Sequence, residues 1–586
     1  MSRACRYLVR SSSGWNGHDE KRVTGSDLEA TIDTQHLAEN AITLVGAEDA
    51  KQTRAVVTCV HPARAATCAR EALPRWSEIM NKGIDIVVIG SGFGGSVSAA
   101  RLAEAGLAVT LLERGPWRDT VPVRSMGIVK RSALPRGWQL PTRLLRAVGS
   151  NWMPGSRIKL SKHGLFELFF AKGVTVACSS GVGGGSHVYS AVNVRPLAEH
   201  YWEGHHAAIS DAVMSPHYDA VLERMGSTTP MADHRIPNTS AVRFKNSPVL
   251  EPAAPPPDPR LGYMLPEDPD HPVKVTDAHG VERYEVDYTG NDDGFLGSPK
   301  GGKTTLDAVY LAPALKRGLT VRDMAEVSTI VRLGEAPDAR YRIEFIDHHS
   351  GKRDAITASH VILAAGTLNT LRILLHSRDV IGGLSGMPQL GKHFGSNGDY
   401  FGFWDYNEAG LDQTLGLPTT GGVRPRGDSG APMIGGGGLA SVDSYPLPQR
   451  VRERLKRGIM IAGLGEDDMC GTVCLRGGKL HIEYDTSRSP IFKRIKDTFD
   501  KMAALTGKKI YAPKTPITVH PTGGACLGAS IASGVVDADG QVFDNPGLYV
   551  ADAAALPRAP GGPPSMTIAA WSDHLATAFI ARHSAH

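Results

Sequence analysis

Residues 84–115 have the sequence IDIVVIGSGFGGSVSAARLAEAGLAVTLLERG, and this stretch decides the fold of the chain. The apolar run Ile84 to Ile89 is typical of a buried parallel strand. The small residues after the glycines predict a helix that ends before Gly106, and Leu107 to Leu112 predicts a second strand. This order of strand, glycine turn, helix and strand indicates an α/β fold with a Rossmann-like domain that binds a dinucleotide.

Three glycines and one carboxylate in this stretch have separate physical reasons. Gly90 permits the tight turn, Gly92 lets backbone N–H groups approach a pyrophosphate, and Gly95 lets the helix pack closely on the strand. Glu113 lies at the offset where a carboxylate accepts hydrogen bonds from the ribose hydroxyls of an adenine dinucleotide. The unit therefore predicts a dinucleotide site, but it does not say which dinucleotide is bound.

The composition excludes several function classes. The chain has 586 residues, of which 41% are hydrophobic and 21% charged, so two or more domains with sizeable cores are expected. A net charge of +4 predicts no nucleic-acid partner, and we find no apolar run of transmembrane length. Seven cysteines without framework spacing indicate a reducing, cytoplasmic location. Cys470 and Cys474 have no His/Cys pair nearby, so no metal site is predicted.

The N-terminal residues 1–79 lack hydrophobic periodicity, and we expect a poorly ordered extension there. The opening MSRACRYLVRSSSG has no apolar segment, which makes it a poor secretory signal. Met80 stands just before the first predicted strand, and it is a hypothesis that the natural protein starts there. Intact-mass measurement of protein from the native host tests this hypothesis, and a full-length N-terminus would contradict it.

A second glycine-rich segment, SSGVGGGSHVYS, spans residues 179–190. So many glycines favour close packing of bare backbone against a flat cofactor, and a flexible loop is the alternative. Further along, Thr304 to Leu319 predicts a helix, and Leu319 to Leu333 with Tyr341 to Ile346 predicts a hairpin. A buried strand returns at Ser359 to Gly366. This late return is typical of flavoproteins and argues against a simple nicotinamide dehydrogenase.

The C-terminal half adds further elements. The glycine-dense segment Gly391 to Glu483 predicts an antiparallel sheet that covers the cofactor, followed by a helix from about Pro490 to Leu505. Gly547 to Asp552 predicts another buried strand. Prolines just inside a helix start are favourable, so Pro563 and Pro564 predict a final helix.

Four motifs resemble those of the glucose–methanol–choline (GMC) oxidoreductases, and the wording is most similar to the cholesterol oxidase-like branch. They are GVGGGS at 181–186, HPTGGACLG at 520–528, GLYVADAAALP at 547–557 and PPSMTIAAW at 563–571. The resemblance covers about residues 83–586 and is looser between 200 and 300. It implies a discontinuous Rossmann-like FAD-binding domain (80–215, 300–400 and 511–586). It also implies a substrate-binding domain with an antiparallel sheet covered by helices (216–299 and 401–510).

The resemblance implies non-covalent FAD and assigns its contacts. Glu113 and the first glycines bind the ADP part, and Val327 meets the adenine. The pyrophosphate and isoalloxazine lie along Gly183, Gly184, Gly185 and Ser186, and Asp552 binds the ribityl or pyrophosphate part. The start of the last helix, at Pro564, Ser565 and Met566, favours negative charge near the flavin N1 and O2. His187 is offset from the histidine that links flavin covalently in relatives, so no covalent link is expected.

The same resemblance implies the catalytic groups. His520 matches the active-site histidine, which can manage the hydroxyl proton near neutral pH. Asp443 matches a carboxylate that moves a proton during double-bond isomerisation, with a solvated turn residue as the alternative. Asn397 is a weaker candidate beside the substrate. Pro563 and Pro564 stand where relatives carry Asn or a second His, and neither side chain can form a hydrogen bond.

These observations lead to one function hypothesis and two alternatives. The first is an FAD-dependent oxidoreductase that oxidises a secondary hydroxyl of a bulky apolar, sterol-like substrate to a ketone, with double-bond isomerisation as an added activity. Its partners would be that small molecule and oxygen or another electron acceptor. The second is a redox-neutral, FAD-containing isomerase or lyase in which Asp443 and His520 move protons. The third is a flavin-binding structural relic without activity.

Overall fold

The structure is a computed structural model that describes residues 6–11, 42–47, 55–57, 85–153, 157–253, 260–289, 293–334, 340–419, 421–439 and 441–584. It divides into two compact units, Met1–Gly83 and Ile84–His586. The first unit has three antiparallel strands, Arg6–Ser11, Ile42–Ala47 and Ala55–Val57, with Ile42–Ala47 in the middle. The expected poorly ordered extension over residues 1–79 stays a prediction. The rest of that segment, with Met80, lies outside the described residues.

The second unit is built on a parallel five-stranded sheet, which we call the nucleotide sheet. Its order is Thr320–Arg322, Ala108–Leu112, Asp85–Ile89, His360–Leu363 and Leu548–Val550. The central strands are almost fully buried, as their continuous apolar runs predict. The predicted α/β fold class is therefore confirmed, and the last strand comes from a distant part of the chain.

Two helices pack against each other beside the nucleotide sheet. The helix Phe93–Glu104 follows the first glycine turn, as predicted, and most of its residues are small and buried. The C-terminal helix Ser565–Ser584 lies close to it. Ser98 Oγ is 2.6 Å from Ser572 Oγ, and Arg101 donates to the Asp573 carboxylate over 2.8 Å. This contact brings the start of the C-terminal helix to the glycine turn.

An antiparallel six-stranded sheet, which we call the antiparallel sheet, forms the other side of the site. Its order is Leu250–Ala253, Gly421–Pro425, Ile434–Gly437, Ile459–Gly463, Tyr400–Trp404 and Ile510–Tyr511. The helix Pro490–Thr506 covers one face, where Phe499 packs on Tyr400. The other face carries Phe401, Gly435 and Met460 and turns toward a cavity. The predicted sheet and helix are therefore confirmed.

The predicted hairpin is confirmed with one change. Leu319 to Leu333 divides into the strands Thr320–Arg322 and Ala325–Arg332, because Met324 between them has a φ of 58°. The first of these belongs to the nucleotide sheet. The second starts a three-stranded antiparallel sheet with Tyr341–Asp347 and Lys352–Ala358. The predicted helix Thr304 to Leu319 is shorter, a π-helical turn Asp307–Leu311 followed by the α-helix Ala312–Lys316.

The segment that follows the first nucleotide strands holds a sheet that the sequence analysis did not predict. This mixed sheet has the order Ile517–Thr518, Thr175–Ser179, Phe166–Phe170, Leu145–Ser150 and Arg157–Lys159. Short strand pairs join Val192–Asn193 to Arg260–Leu261, Lys274–Thr276 to Glu282–Tyr284, Phe394–Gly395 to Thr522–Gly523, and Thr472–Arg476 to Lys479–Glu483. The other α-helices of the described part are Val121–Ser125, Leu140–Arg143, Asp211–Arg224, Ser240–Arg243, Thr367–Leu375 and Gln449–Lys456.

The predicted domain boundaries stay predictions, because residues 84–586 form one compact unit. Of the described helices, none combines the length and apolar character that crossing a membrane requires. Likewise, the described His, Cys, Asp and Glu side chains nowhere form a group of three that could hold a metal ion.

Candidate active site

A cavity of about 1120 Å³ runs from the carboxyl ends of the nucleotide strands to the open face of the antiparallel sheet. One part of the cavity is lined by residues that follow the ends of four adjacent strands: Gly90, Glu113, Gly366 and Asp552. The carboxyl edge of an open parallel sheet is where such folds bind their ligands. The cavity is therefore the candidate active site.

The three glycines of the first turn serve three different purposes. Gly90 has a φ of 96°, and a side chain there would overlap the carbonyl oxygen of Ala364. Gly95 lies so close to the Gly90 carbonyl that no Cβ fits between helix and strand. Gly92 lines the cavity, and a Cβ on it would meet no protein atom within 4 Å. The bare Gly92 therefore leaves room for a ligand, whereas Gly90 and Gly95 make room for the protein itself.

Glu113 ties the two glycine-rich segments together. Its carboxylate accepts hydrogen bonds from Ser91 N at 3.0 Å, Ser91 Oγ at 2.8 Å, Gly115 N at 2.8 Å and Gly181 N at 3.3 Å. It is buried and lines the cavity, at the place expected for a ribose acceptor. Ribose hydroxyls would share an acceptor that also fixes both loops.

The second glycine segment is an ordered part of the cavity wall. Gly184 and Gly185 line the cavity, and Gly183 and Gly184 have φ values of 91° and 52°. Ser186 is fully buried, donates to the Gly183 carbonyl over 2.7 Å and accepts from Leu306 N at 3.0 Å. Gly183 and Ser186 thus hold the loop from behind, while Gly184 and Gly185 face the ligand space.

His187 lies behind the same loop, not in the cavity lining. Its Nε2 is 2.8 Å from the Val182 carbonyl and 3.5 Å from Asp307 Oδ1. The ring is buried, and burial lowers the pKa of His187. This position agrees with the expectation that His187 makes no covalent link.

Asp552 lines the cavity beside the last nucleotide strand. Oδ2 accepts from Gly366 N at 2.8 Å and Thr370 Oγ1 at 2.5 Å, and Oδ1 accepts from Ala554 N at 2.9 Å. Burial raises the pKa of Asp552 to about 6, despite these hydrogen bonds. At mildly acidic pH a carboxyl group with such a pKa is largely protonated, which reduces its repulsion of an anionic ligand.

The start of the C-terminal helix completes the cofactor side of the wall. Pro563, Pro564 and Ser565 line the cavity, and Met566 is fully buried behind them. Ser565 Oγ is buried and has no hydrogen-bond partner among the described residues. The first N–H groups of a helix carry partial positive charge, so this end suits an anionic or carbonyl-bearing ligand. At the other end, Val327 lines the cavity from the strand Ala325–Arg332, at the expected adenine position.

His520 lines the cavity and contacts a buried carboxylate. Its Nδ1 is 2.9 Å from Asp399 Oδ1, and its side chain keeps 24% exposure whereas Asp399 has none. Asp399 Oδ2 accepts from Thr518 Oγ1 at 2.8 Å and from Val519 N at 2.9 Å. The carboxylate therefore fixes both the ring and the backbone that carries it.

Asn397 is not in the cavity lining, which differs from the role expected for it. It is fully buried, its Nδ2 donates to the Gly562 carbonyl over 2.9 Å, and its Oδ1 accepts from Gly561 N at 3.0 Å. Both ends of the amide are thus used by the backbone just before Pro563. Asn397 positions the start of the C-terminal helix and has no free group for a substrate.

Asp443 lies outside the cavity lining, which agrees with the alternative of a solvated turn residue and not with a proton-moving carboxylate in the site. Its side chain is 64% exposed, and its Oδ2 is 2.9 Å from Lys456 Nζ. The hydrogen bond that Lys456 donates to the Asp443 carboxylate raises the pKa of Lys456. Ser441 has a φ of 60° and starts a tight turn that buries Val442 and turns Asp443 outward. The backbone of this turn, and not the residue types in it, decides the direction.

The far end of the cavity is apolar. It includes bare backbone at Gly435 and Gly436, and its larger side chains are Ile236, Leu261, Phe295, Phe401, Leu417, Met433, Met460, Ile461 and Leu464. No charged side chain of the described chain lines this end, and the polar residues there are Tyr189, Ser190, Thr239, Ser240 and Thr419. Burial of apolar ligand area against such a surface is favourable by about 25 cal/mol per Å².

Comparisons with known proteins agree with this architecture. Two sequence models described as GMC oxidoreductase match residues 279–393 and 489–572, and a Rossmann-like NAD(P)-binding model matches residues 88–116. A cholesterol oxidase from Acinetobacter baumannii is 26% identical over 565 residues, which cover 86% of this chain and 96% of that protein. A cholesterol oxidase from Mycobacterium tuberculosis is 24% identical over 575 residues, covering 85% and 91%. Over these two ranges the chain is similar to the GMC oxidoreductases.

Solved structures support the fold of this protein. A fungal aryl-alcohol oxidase superposes with a TM-score of 0.52 at 15% identity, covering 86% of this chain and all of that one. An FAD-dependent oxidoreductase from Chaetomium thermophilum gives a TM-score of 0.50 at 17% identity, over the same share of this chain. At these identities the likeness shows the fold alone.

The cofactor of this protein is FAD, and the residues present fit it. The open space at Gly92 gives a pyrophosphate access to bare backbone. Glu113 stands at the ribose position, and the orphaned Ser565 Oγ offers a hydrogen bond at the helix start. The expected FAD cofactor is therefore confirmed, while the role of each contacting residue stays a prediction.

Sequence reasoning missed two carboxylates that organise the site. Asp399 is the last residue of the segment FGSNGD at 394–399 but was not predicted to act, because its partner His520 is 121 residues away. Asp467, also buried, accepts from Ser396 N, Ser396 Oγ and Tyr484 Oη and so holds the same loop. The one available signal was an acidic residue in a glycine-rich segment, which is a weak signal without the fold.

Proposed function

We propose that this protein is a GMC oxidoreductase that oxidises a secondary hydroxyl group of a bulky apolar, sterol-like substrate to a ketone. The observation that carries the proposal is His520, which lines the cavity between the cofactor side and the apolar end. The cholesterol oxidase relatives, similar over most of their length, support the same substrate class. An apolar end without charged side chains suits a substrate whose single polar group is the alcohol.

The chemistry follows from the roles of the chain's own residues. Oxidation of an alcohol removes the hydroxyl proton and the carbon-bound hydrogen with its electron pair. When bound, FAD supplies the acceptor for those two electrons. His520 accepts the hydroxyl proton, since its ring is held by Asp399 and reaches the cavity. Pro563 and Pro564 line the cavity but donate no hydrogen bond, so His520 works without a side-chain partner from these two positions.

Anaerobic mixing of the FAD-loaded protein with a panel of alcohols tests the proposal. The panel contains hydroxysteroids and small primary and secondary alcohols, and the readout is loss of the visible flavin absorbance. We expect hydroxysteroids to bleach the flavin, and H520Q to slow the bleaching by about 10²- to 10⁴-fold. H349Q, which replaces an exposed histidine outside the cavity, is the matched control and should match the wild type.

Bleaching with none of the alcohols would overturn the proposal. Bleaching with small alcohols alone would overturn its substrate class and leave alcohol oxidation standing. The redox-neutral isomerase or lyase alternative needed Asp443 in the cavity, and its exposed position gives that alternative no support.

A further inference from the structure

The loop Ser396–Asp399 contacts both halves of the candidate active site. Asp399 binds the His520 ring, and Asn397 binds Gly561 and Gly562 at the start of the C-terminal helix. Asp467 in turn anchors the loop through the backbone N–H of Ser396 at 2.6 Å. The loop therefore sets the position of the histidine relative to the helix start.

The hydrogen bonds of Asp399 are divided unequally between its two oxygens. Oδ2 accepts from Thr518 Oγ1, Val519 N and His520 N, at distances of 2.8 to 3.2 Å. Oδ1 is left for Nδ1 of His520, 2.9 Å away. An ionised carboxylate only accepts hydrogen bonds, so Nδ1 must carry the proton and donate it. Nε2 is then the bare nitrogen that can accept a proton from a ligand.

We propose that Asp399 is the positioning residue of this site, which holds His520 in the Nδ1–H tautomer so that Nε2 is the proton acceptor. The proposal rests on the proposed function, because it gives His520 the role of base. It goes beyond that function by naming the group that makes the base competent. Asp399 touches neither substrate nor cofactor and acts through the ring.

The substitution D399N tests this tautomer assignment sharply. The three donors around Oδ2 require an acceptor, so the amide oxygen of asparagine must take that place. The amide NH₂ then faces Nδ1 and donates to it, which moves the ring proton to Nε2. The nearly isosteric change therefore keeps the geometry and reverses the proton acceptor.

The substitution D399A separates tautomer from packing. Alanine leaves the ring free to exchange tautomers and leaves a gap the size of a small carboxylate. We expect single-turnover flavin reduction by the best alcohol to fall about 10²- to 10⁴-fold in D399N and less in D399A. Added formate should restore D399A at least about tenfold and leave D399N unchanged. D497N is the matched control, since it makes the same change at an exposed residue outside the cavity lining and should match the wild type.

A readout that does not need activity accompanies the kinetics. Protein labelled with ¹⁵N-histidine is studied by NMR, and the His520 signals are assigned by their loss in H520Q. We expect Nδ1–H in the wild type and in D497N, and Nε2–H in D399N.

Two results would overturn the proposal: an Nε2–H tautomer in the wild type, or equal loss of rate in D399N and D399A without formate rescue. The failure of the proposed function has a different signature. It would appear as absence of flavin reduction in the wild type, whatever tautomer the NMR spectra report.

Discussion

Gly184 and Gly92 pack backbone against backbone: the Cα of Gly92 lies 2.5 Å from the place that a Cβ on Gly184 would take. The two glycine-rich segments thus touch through their bare chains beside the cavity. A Cβ on Gly92, in contrast, would have no protein atom within 4 Å. Substitutions at the two glycines can therefore separate two requirements: Gly184 is bare because the chain packs against itself there, whereas Gly92 is bare where a ligand would bind.

We predict that G184A destabilises the protein. The new Cβ meets the Gly92 backbone, and the φ of 52° at position 184 is unfavourable for alanine, by about 1–3 kcal/mol for the conformation alone. Thermal unfolding and FAD content measure the effect. An unchanged melting temperature would contradict this prediction.

G92A is predicted to spare stability and weaken FAD binding. Its Cβ meets no protein atom within 4 Å, and an alanine at this helix N-cap costs only about 1 kcal/mol. The same methyl group enters the space beside the bare backbone, so the Kd for FAD should rise at least about tenfold. Titration of apoprotein with FAD measures this, and equal affinity would show that the cofactor does not approach Gly92.

The pKa of Asp552 predicts a pH dependence of stability. Burial raises this pKa from its ordinary 3.8 to about 6, so between these values the folded chain binds the proton more tightly than the unfolded chain. The stabilising contribution is complete below pH 3.8 and is lost as the pH rises through about 6. It corresponds to a loss of about 3 kcal/mol.

Urea unfolding of wild type and D552N, both stripped of FAD, measures this effect. Between about pH 4 and pH 7, the free energy of unfolding of the wild type should fall by about 3 kcal/mol relative to D552N. Asparagine has only one acceptor oxygen, so D552N cannot keep the hydrogen bonds of both carboxylate oxygens, and this loss shifts the whole curve but not its slope. Parallel curves would contradict the prediction.

D443N is predicted to leave catalysis unchanged. Asp443 is exposed and pairs with Lys456 on the outside, and such surface ion pairs contribute about 0–1 kcal/mol. The rate of alcohol oxidation, and any isomerisation of a steroid ketone followed by its ultraviolet absorbance, should stay within about twofold of the wild type. A large loss of isomerisation alone would restore the role that the sequence first indicated.

Gly435 is predicted to determine substrate size. Ile434 is buried on the opposite face of the strand, and a Cβ on Gly435 would have one neighbour, the Ala462 carbonyl oxygen at 3.5 Å. G435A should therefore fold normally. G435V should lower kcat/KM for hydroxysteroids by about 5- to 100-fold and change small alcohols little, because the added groups enter the cavity. Equal losses for both alcohol classes would contradict this.

The parts of this molecule that follow from local patterns could be predicted from the sequence. The strand, glycine turn and helix after Ile84, and the C-terminal helix after Pro564, depend on residues close together in the chain. Asp443 could not be placed, because a single backbone angle at Ser441 decides whether it points in or out. Asp399 could not be recognised, because its role depends on a histidine 121 residues away.

The nucleotide sheet also fixes the order of events during synthesis. The strand Leu548–Val550, which carries the chain into Asp552, pairs with His360–Leu363, and that strand pairs with Asp85–Ile89. During synthesis, the cleft beside the first glycine turn therefore lacks the wall formed by Leu548–Val550 until almost all of the chain has been made. Prematurely terminated chains that lack Leu548–Val550 would therefore expose the unpaired edge of His360–Leu363 to aggregation.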